Sequence, residues 1–205
     1  SRDTAPPALP STPCQFHAAP PIVVSGSLTP TTFRQLRQVA EHPRFRDRME
    51  WILPQPAQLL GREPLAEAQA HVRQAVREGK GVVIASATDA DRYEHTLQVA
   101  AEFGLRRESV ATLVQRALVE LCEPLLGDPR RNWVLCGGDT ASSVCHALGS
   151  RTLSMRGEAA PHVPFSCDEA GRAIVTKSGN FGDALTLGNV LMYLEEHSQP
   201  HPASA

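Results

Sequence analysis

The stretch LCGGDTASSVCHALG, residues 135–149, changes from a strand pattern to a helix pattern at two consecutive glycines. An apolar run ends at Cys136, and Val144 and Leu148 then recur at helical spacing. Glycines between two such patterns permit the close turn that a short connection needs. The stretch therefore predicts a strand that leads directly into a helix, which is the repeating unit of α/β domains.

The same alternation of short apolar runs and amphipathic segments recurs along the chain. The predicted strands are 22–25, 51–53, 82–86, 133–136, 152–155 and 173–177. The predicted helices begin near residues 30, 64, 89, 108, 141 and 185. Apolar runs without alternation are typical of strands that are covered on both faces. The pattern predicts an α/β fold, a three-layer sandwich around a mostly parallel sheet, with residues 157–171 left irregular.

The two ends of the chain differ in composition from its middle. Residues 1–20 are rich in Pro, Ala, Ser and Thr, which is typical of a linker. Residues 21–197 carry the strand and helix patterns and are predicted to form one domain. Residues 198–205 are polar, contain proline and are predicted to be a disordered tail. A linker at the start predicts that the chain is part of a longer protein.

Composition narrows the class of protein. The net charge of −2 offers no electrostatic footprint for nucleic acid or for an anionic membrane. No run is apolar for long enough to predict a membrane span, and no signal-peptide pattern is present. The five cysteines include no CxxC pair, and the histidines show no metal-ligand spacing. We therefore expect reduced thiols, no metal site and a cytoplasmic location.

Three polar loops rich in small residues follow predicted strands: loop 1 (residues 25–27), loop 2 (residues 137–140) and loop 3 (residues 178–183). In parallel sheets, ligands bind outside the carboxyl ends of the strands, where such loops lead into helices. Free N–H groups and the helix dipole at a helix start favour phosphate. The loops therefore predict a phosphate-binding surface. Neither GxxxxGK[ST] nor GxGxxG occurs, which disfavours a P-loop NTPase and an ordinary dinucleotide-binding domain.

Individual side chains in these loops allow a functional or an ordinary interpretation. Asp139 or Thr140 is predicted to be the N-cap of the helix that follows loop 2. Lys177 is placed to neutralise phosphate charge. Ser27 is placed to contact phosphate or ribose, but from this loop alone a local turn and cap is the better explanation. Asp183 is predicted to cap the last helix rather than to hold magnesium through water. Phe181, also in loop 3, is predicted to be a core residue rather than a stacking platform.

Three motifs together resemble one known family. VVSGSLTPTTFRQL (23–36), LCGGDTASSVCHALG (135–149) and VTKSGNFGDAL (175–185) resemble the C-terminal nucleotide-binding domain of the four-carbon acid sugar kinases. The resemblance covers about residues 21–196. It implies phosphorylation of sugar acids such as threonate, erythronate and their 3-oxo relatives, with ATP and Mg²⁺. It also implies that an N-terminal domain of the same protein binds the sugar acid.

The resemblance assigns ATP contacts residue by residue, and it assigns no catalytic residue to this chain. The implied contacts are Ser27, Gly137, Gly138, Asp139, Thr140 and Gly182, with Lys177 and Gly179 as neighbours. The sequence indicates no apolar slot for adenine.

Two departures from the family pattern stand out. The family usually has PGVP where this chain has PHVP at residues 161–164, so His162 replaces a glycine in a turn. The acidic DDLTG-like opening of the sugar-binding domain is absent, which predicts that this chain is the ATP-binding half alone. The alternative is a non-catalytic nucleotide- or phosphometabolite-binding module. A nicotinamide- or flavin-dependent domain predicts a GxGxxG fingerprint, which the chain lacks.

Overall fold

The apolar runs become strands of one seven-stranded sheet in the computed structural model, which describes residues 16–198. The strands are β1 (Ile22–Ser25), β2 (Met49–Ile52), β3 (Gly81–Ala85), β4 (Trp133–Cys136), β5 (Ser154–Ala160), β6 (Val163–Cys167) and β7 (Ala173–Lys177). The helices are α1 (Pro30–Glu41), α2 (Pro56–Leu59), α3 (Ala66–Arg77), α4 (Ala90–Glu102), α5 (Arg107–Leu126), α6 (Gly138–Ala147) and α7 (Thr186–His197).

The strand order is β2-β3-β1-β4-β7-β6-β5. Pairing is parallel from β2 to β7, and β6 and β5 add an antiparallel hairpin at one edge. Each connection between parallel strands contains at least one helix, because parallel strands need a crossover that spans the length of the sheet. The predicted mostly parallel sheet is confirmed.

Helices cover both faces of the parallel part of the sheet. On one face, α1 and α7 pack against strand residues such as Val23, Val134 and Val175. On the other face, α3, α5 and α6 pack against the intervening residues, among them Val24 and Leu135. Because successive strand residues point to opposite faces, a strand buried on both must be apolar throughout. The three-layer α/β architecture predicted from the sequence is thus confirmed.

The main departure from the predicted elements is the hairpin of β5 and β6. Most of it lies in residues 157–171, which were predicted to be irregular. Much of β5 is exposed, its pairing with β6 contains register shifts, and it forms the edge of the sheet. An edge strand of this kind lacks the continuous apolar run on which the prediction depended.

The turn of this hairpin explains the glycine that the family pattern prefers. Pro161 and His162 connect β5 to β6, and His162 has φ +61°. A proline followed by a residue with positive φ matches the type II turn, whose third position favours glycine. His162 therefore adopts a left-handed conformation that costs a residue with a Cβ atom about 1–2 kcal/mol.

Residues near the chain ends contact the sheet. Phe16, within the predicted linker, lies with its ring centroid 4.8 Å from that of Phe165 on β6. The Asn132 amide donates a hydrogen bond of 2.8 Å to the His17 carbonyl. The remaining linker and tail predictions, for residues 1–15 and 199–205, lie outside the described residues.

The cysteines follow the prediction only in part. Cys122, Cys136 and Cys145 carry free thiols. Cys167 is disulfide-bonded, which corrects the expectation of reduced thiols for that residue. Over residues 16–198, no helix combines the length and the apolar character needed to cross a membrane.

Leu118 lies at the centre of the core between α5 and the sheet and is fully buried. We expect Leu118→Ala to lower the free energy of unfolding by about 2–5 kcal/mol, because it leaves a cavity. Arg116→Ala, at an exposed position of the same helix, is the matched control and should change it by less than about 0.5 kcal/mol. Urea denaturation measures both. Equal effects of the two substitutions would contradict the assignment of this helix face to the core.

His162→Gly should raise the free energy of unfolding by about 0.5–1 kcal/mol, because relief of the left-handed strain exceeds the entropy that glycine adds to the unfolded chain. His146→Gly is the control, since His146 is exposed in α6, and it should lower the free energy by about 0.3–0.5 kcal/mol. Thermal denaturation of both variants gives the signs. Destabilisation by both substitutions would show that the turn carries no strain.

Candidate functional site

The three loops converge because their strands are neighbours. β1, β4 and β7 lie side by side, and their last residues, Ser25, Cys136 and Lys177, are paired in register. The ladder continues one step further, where the Gly137 N–H donates to the Lys177 carbonyl at 2.9 Å. All three loops therefore leave the sheet at one level of its carboxyl edge, as predicted.

Loop 1 and loop 2 are joined by a direct hydrogen bond. The Gly26 N–H donates to Thr140 Oγ1 at 3.2 Å. A Cβ atom at Gly26 would lie 2.5 Å from Thr140 Oγ1 and 2.7 Å from Gln115 Nε2. Glycine is therefore required here by the close approach of α5 and α6 to loop 1. Thr140 is buried, so its hydroxyl serves this contact.

Loop 1 and loop 3 meet at a cluster of hydroxyl groups. Thr29 Oγ1 and Thr32 Oγ1 donate to the Gly179 carbonyl at 2.6 and 3.0 Å. Ser27 Oγ lies 3.0 Å from Thr32 Oγ1, and it occupies the space that a Cβ atom at Gly179 would need. Ser27 is buried. The two predicted site residues Ser27 and Gly179 are thus in direct contact.

Lys177 points into the protein rather than out of loop 3. The residue is 2% exposed. Its ammonium donates to the carbonyl groups of Ser178 at 2.7 Å, Phe181 at 3.3 Å and Gly179 at 3.5 Å. Burial lowers the pKa of this ammonium. The geometry gives Lys177 a role in folding loop 3, whose carbonyl groups surround its charge; neutralisation of phosphate charge by Lys177 stays a prediction.

Loop 2 leads into α6, whose first residues are exposed to solvent. Gly137 has φ +107° and is the N-cap, so the prediction of Asp139 or Thr140 at that position was wrong. Gly138 and Asp139 are exposed, and a Cβ atom at Gly138 would meet nothing within 4 Å. The N–H groups of the first helical turn have no acceptor within the helix. The start of α6 therefore presents free donors to an open surface.

The end of loop 3 depends on contacts with α1 and α7. Gly182 has φ +83°, and a side chain there would collide with Thr186. The Asp183 carboxylate accepts hydrogen bonds from the Leu185 N–H at 3.0 Å and the Thr186 hydroxyl at 2.9 Å. It thus supports the turn that precedes α7, but the N-cap of this helix is Leu185, without a side-chain cap bond, so the prediction that Asp183 caps the helix was wrong. Gln35 Nε2 donates to the Asp183 carbonyl at 2.7 Å.

Phe181 corrects the prediction that it belongs to the core. Its side chain is 50% exposed on loop 3. Its ring centroid lies 6.1 Å from that of His162, at the turn between β5 and β6. The residue that departs from the family pattern therefore borders loop 3.

A cavity of about 250 Å³ lies beside loops 1 and 2, with Gly26 and Asp139 in its wall. Its apolar lining comes from Leu28, Leu59, Ala87, Tyr93, Val110 and Val114. Ser86, Thr96, Arg107 and Gln115 add polar groups. None of these four residues was predicted from the sequence as a site residue. Ser86 follows β3, so the rule that directs attention to the carboxyl ends of parallel strands would have found it. Gln115 carries no comparable signal in the sequence.

Two other kinds of site, a metal centre and a nucleophilic Cys136, find no support in the described part of the chain. No group of three or more His, Cys, Asp or Glu side chains that could hold a metal ion occurs in residues 16–198. Burial raises the pKa of the Cys136 thiol, at the end of β4, to about 11. A thiol that stays protonated at neutral pH is a poor nucleophile.

Comparison with known proteins shows which proteins the chain is similar to. A family model described as a nucleotide-binding C-terminal domain matches residues 22–187. The chain is 31% identical over 180 residues to the 3-oxo-tetronate kinase of Cupriavidus necator, a match that covers 87% of this chain and 39% of the relative. It is 32% identical over 198 residues to the 3-oxo-isoapionate kinase of Paraburkholderia graminis, covering 89% and 41%. The chain spans about two-fifths of the length of these curated relatives.

Solved structures with the same fold support the architecture. A Bordetella bronchiseptica protein described as a domain of unknown function (DUF1537), a domain-swapped dimer with bound citrate, aligns with a TM-score of 0.65 and 24% identity. That match covers 88% of this chain and 42% of the other. A Haemophilus influenzae protein of the DUF1537 family model aligns with a TM-score of 0.67 and 18% identity, covering 91% and 42%. At this identity the likeness shows the α/β fold.

The bond between Gly26 and Thr140 can be tested by removing only the hydroxyl. We expect Thr140→Val to lower the free energy of unfolding by about 1–3 kcal/mol, because it leaves the Gly26 N–H without its acceptor. Thr140→Ser keeps the oxygen and should lose clearly less. Urea denaturation of both variants provides the comparison. If valine and serine cost the same, the hydrogen bond does not hold the two loops together.

Proposed function

We propose that this chain binds ATP for phosphoryl transfer to a hydroxyl of a sugar acid. The chain belongs to the nucleotide-binding C-terminal domain family of the four-carbon acid sugar kinases. The observation that carries the proposal is the exposed start of α6 where three loops meet. Gly138 lies there with open space above it. Free N–H groups at a helix start, together with the helix dipole, favour a phosphate group.

The phosphates of ATP would bind along loop 2. In this proposal the N–H groups of Gly138, Asp139 and Thr140 donate to phosphate oxygens. Each charge-assisted hydrogen bond contributes about 1.5–3 kcal/mol, whereas the helix dipole adds about 0.3–1 kcal/mol. Gly137 supports this arrangement because its positive φ starts α6 directly after β4.

Loop 1 and loop 3 would form the sides of the phosphate site. Ser27 and Gly182 are the contacts proposed on these loops. Lys177 and Gly179 act through the loop itself: the buried ammonium draws three carbonyl groups inward, and the Gly179 carbonyl accepts two threonine hydroxyl groups. With its carbonyls turned inward, loop 3 presents less negative potential to an approaching phosphate.

Phosphoryl transfer requires positioning and charge neutralisation more than covalent chemistry from the protein. Mg²⁺ would accompany ATP, held by phosphate oxygens and water, as this ion prefers. Asp139 is the exposed carboxylate at loop 2 that would approach it. Asp183 is unsuited because its carboxylate already accepts two hydrogen bonds at the start of α7. We assign no catalytic base to this chain.

The sugar acid would bind to a part of the protein that this chain does not include. The kinases it resembles are more than twice its length. Their names share an oxidised sugar-acid substrate, which supports that substrate class. We therefore propose that an N-terminal domain holds the sugar acid and that the present chain contributes ATP, so the chain alone would not catalyse the reaction.

Gly138→Val tests the phosphate site, because its side chain would project into the open space above α6. We expect affinity for Mg-ATP to fall roughly ten- to a hundredfold, the loss of one charge-assisted hydrogen bond. Isothermal titration calorimetry measures it, with NAD and inorganic phosphate as control ligands. Gly127→Val is the matched control, since Gly127 also has open space around it and lies at the far end of α5.

Equal affinities for Mg-ATP in the two variants would contradict the phosphate assignment. Tighter binding of NAD than of ATP by the unmodified chain would contradict the proposed nucleotide. Thermal denaturation without nucleotide should show both variants folded, which separates a loss of binding from a loss of structure.

A further inference from the structure

We propose that the 250 Å³ cavity beside loops 1 and 2 binds the adenine base, and that Ser86 and Gln115 select adenine over guanine. This inference rests on the proposed function, because it locates the base of the nucleotide whose phosphates bind at α6. It assigns a role to two residues outside the three loop motifs.

The position of the cavity suits a nucleotide that is anchored at loop 2. Gly26 of loop 1 and Asp139 of α6 form part of its wall. The opposite wall comes from α4 and α5, and the floor comes from the end of β3. If the phosphates bind at the start of α6, the rest of the nucleotide therefore only has to pass over loop 1 for the base to enter the cavity.

The lining of the cavity suits a flat aromatic ring. Leu59 and Val110 are buried in its wall, Leu28 is partly exposed at its rim, and Tyr93 adds an aromatic face. Base-binding sites commonly combine apolar walls with a small number of fixed polar groups. The volume is below the usual 300–1,000 Å³ range of drug-sized ligand pockets, which fits a base rather than a whole nucleotide.

Two polar atoms in this cavity lack hydrogen-bond partners. Ser86 is 3% exposed. Its Oγ atom and the Oε1 atom of Gln115 are buried, and neither has a partner within residues 16–198. Buried polar atoms are almost always hydrogen-bonded, so two unpaired atoms in one cavity require an explanation. A ligand with complementary polar groups provides one.

The chemistry of these two groups favours adenine. Gln115 Nε2 lies against Gly26, only 2.7 Å from the point that a Cβ atom on this glycine would occupy, so its Oε1 atom remains as an acceptor. The exocyclic amino group of adenine is a donor, whereas guanine carries an acceptor oxygen at the equivalent position. The Ser86 hydroxyl can donate to a ring nitrogen. Guanine would set its oxygen against Gln115 Oε1, and this repulsion provides selectivity.

A larger cavity, of about 400 Å³, is less suitable. Gly81 and Asn132 line it, and these residues lie at the amino ends of β3 and β4. That is the sheet edge opposite to the three loops. A base bound there could not share a nucleotide with phosphates at α6.

The experiment uses calorimetric titration of the present chain with Mg-ATP, Mg-GTP and Mg-tripolyphosphate. We expect the unmodified chain to bind ATP more tightly than GTP or tripolyphosphate. Gln115→Met keeps the side-chain length but removes the acceptor, and it should weaken ATP binding about tenfold while tripolyphosphate binding stays unchanged. Ser86→Ala should act in the same direction. Gln74→Met, at an exposed position of α3, is the matched control and should bind like the unmodified chain.

The melting temperature without nucleotide separates a role in selecting the base from a role in stabilising the fold. Since Ser86 Oγ and Gln115 Oε1 have no partners within the described residues of the free protein, removing them should leave the melting temperature without nucleotide unchanged or higher. A substitution that weakens ATP binding without lowering this temperature supports the inference. A lower melting temperature in both variants would show a structural role and overturn it.

The remaining outcomes are also decisive. ATP binding that both variants retain, with the same preference over GTP, would overturn the base site and leave the proposed function intact. Equal affinity of the unmodified chain for ATP and tripolyphosphate would also overturn it. Failure of the unmodified chain to bind either ligand would overturn the proposed function for this chain, and the base site with it.

Discussion

Parallel pairing of β1, β4 and β7 in one register is the constraint on which the site depends. Because Ser25, Cys136 and Lys177 end their strands at the same level, the loops that follow must share one edge of the sheet. A shift of one residue would exchange the side chains that pack in the two layers, and their sizes would no longer fit the neighbouring helices. The apolar packing on both faces therefore fixes the position of three polar loops that contribute little to it.

Loop contacts then turn this common edge into a defined surface. Loop 1 contacts both other loops: Gly26 is bonded to Thr140, and at the start of α1, just after loop 1, the hydroxyl groups of Thr29 and Thr32 are bonded to Gly179. Lys177 draws the carbonyl groups of loop 3 inward. The contacts all involve backbone groups, so they hold the loops in place and leave the N–H donors at the start of α6 facing solvent. A rigid surface of this kind loses little entropy when it binds a ligand.

The family match covers most of this chain, but the related sugar-acid kinases are longer than the chain. The family match covers nearly all of the described sheet and helices, while the chain spans about two-fifths of its curated relatives. Phe181 in loop 3 and Leu185 just after it are exposed apolar residues. His162, which replaces the family's glycine, contacts Phe181. This departure from the family pattern therefore changes the surface next to loop 3.

The sequence by itself determined the α/β class, the parallel core and the three loops, because buried strands and helix starts impose local patterns that can be read directly. It did not determine the hairpin of β5 and β6, since an exposed edge strand imposes no such pattern. The inward direction of Lys177 and the exposure of Phe181 depended on which neighbours reached loop 3. The cavity with Ser86 and Gln115 joins residues that are distant in the chain, and only the packing of α5 against the sheet brings them together.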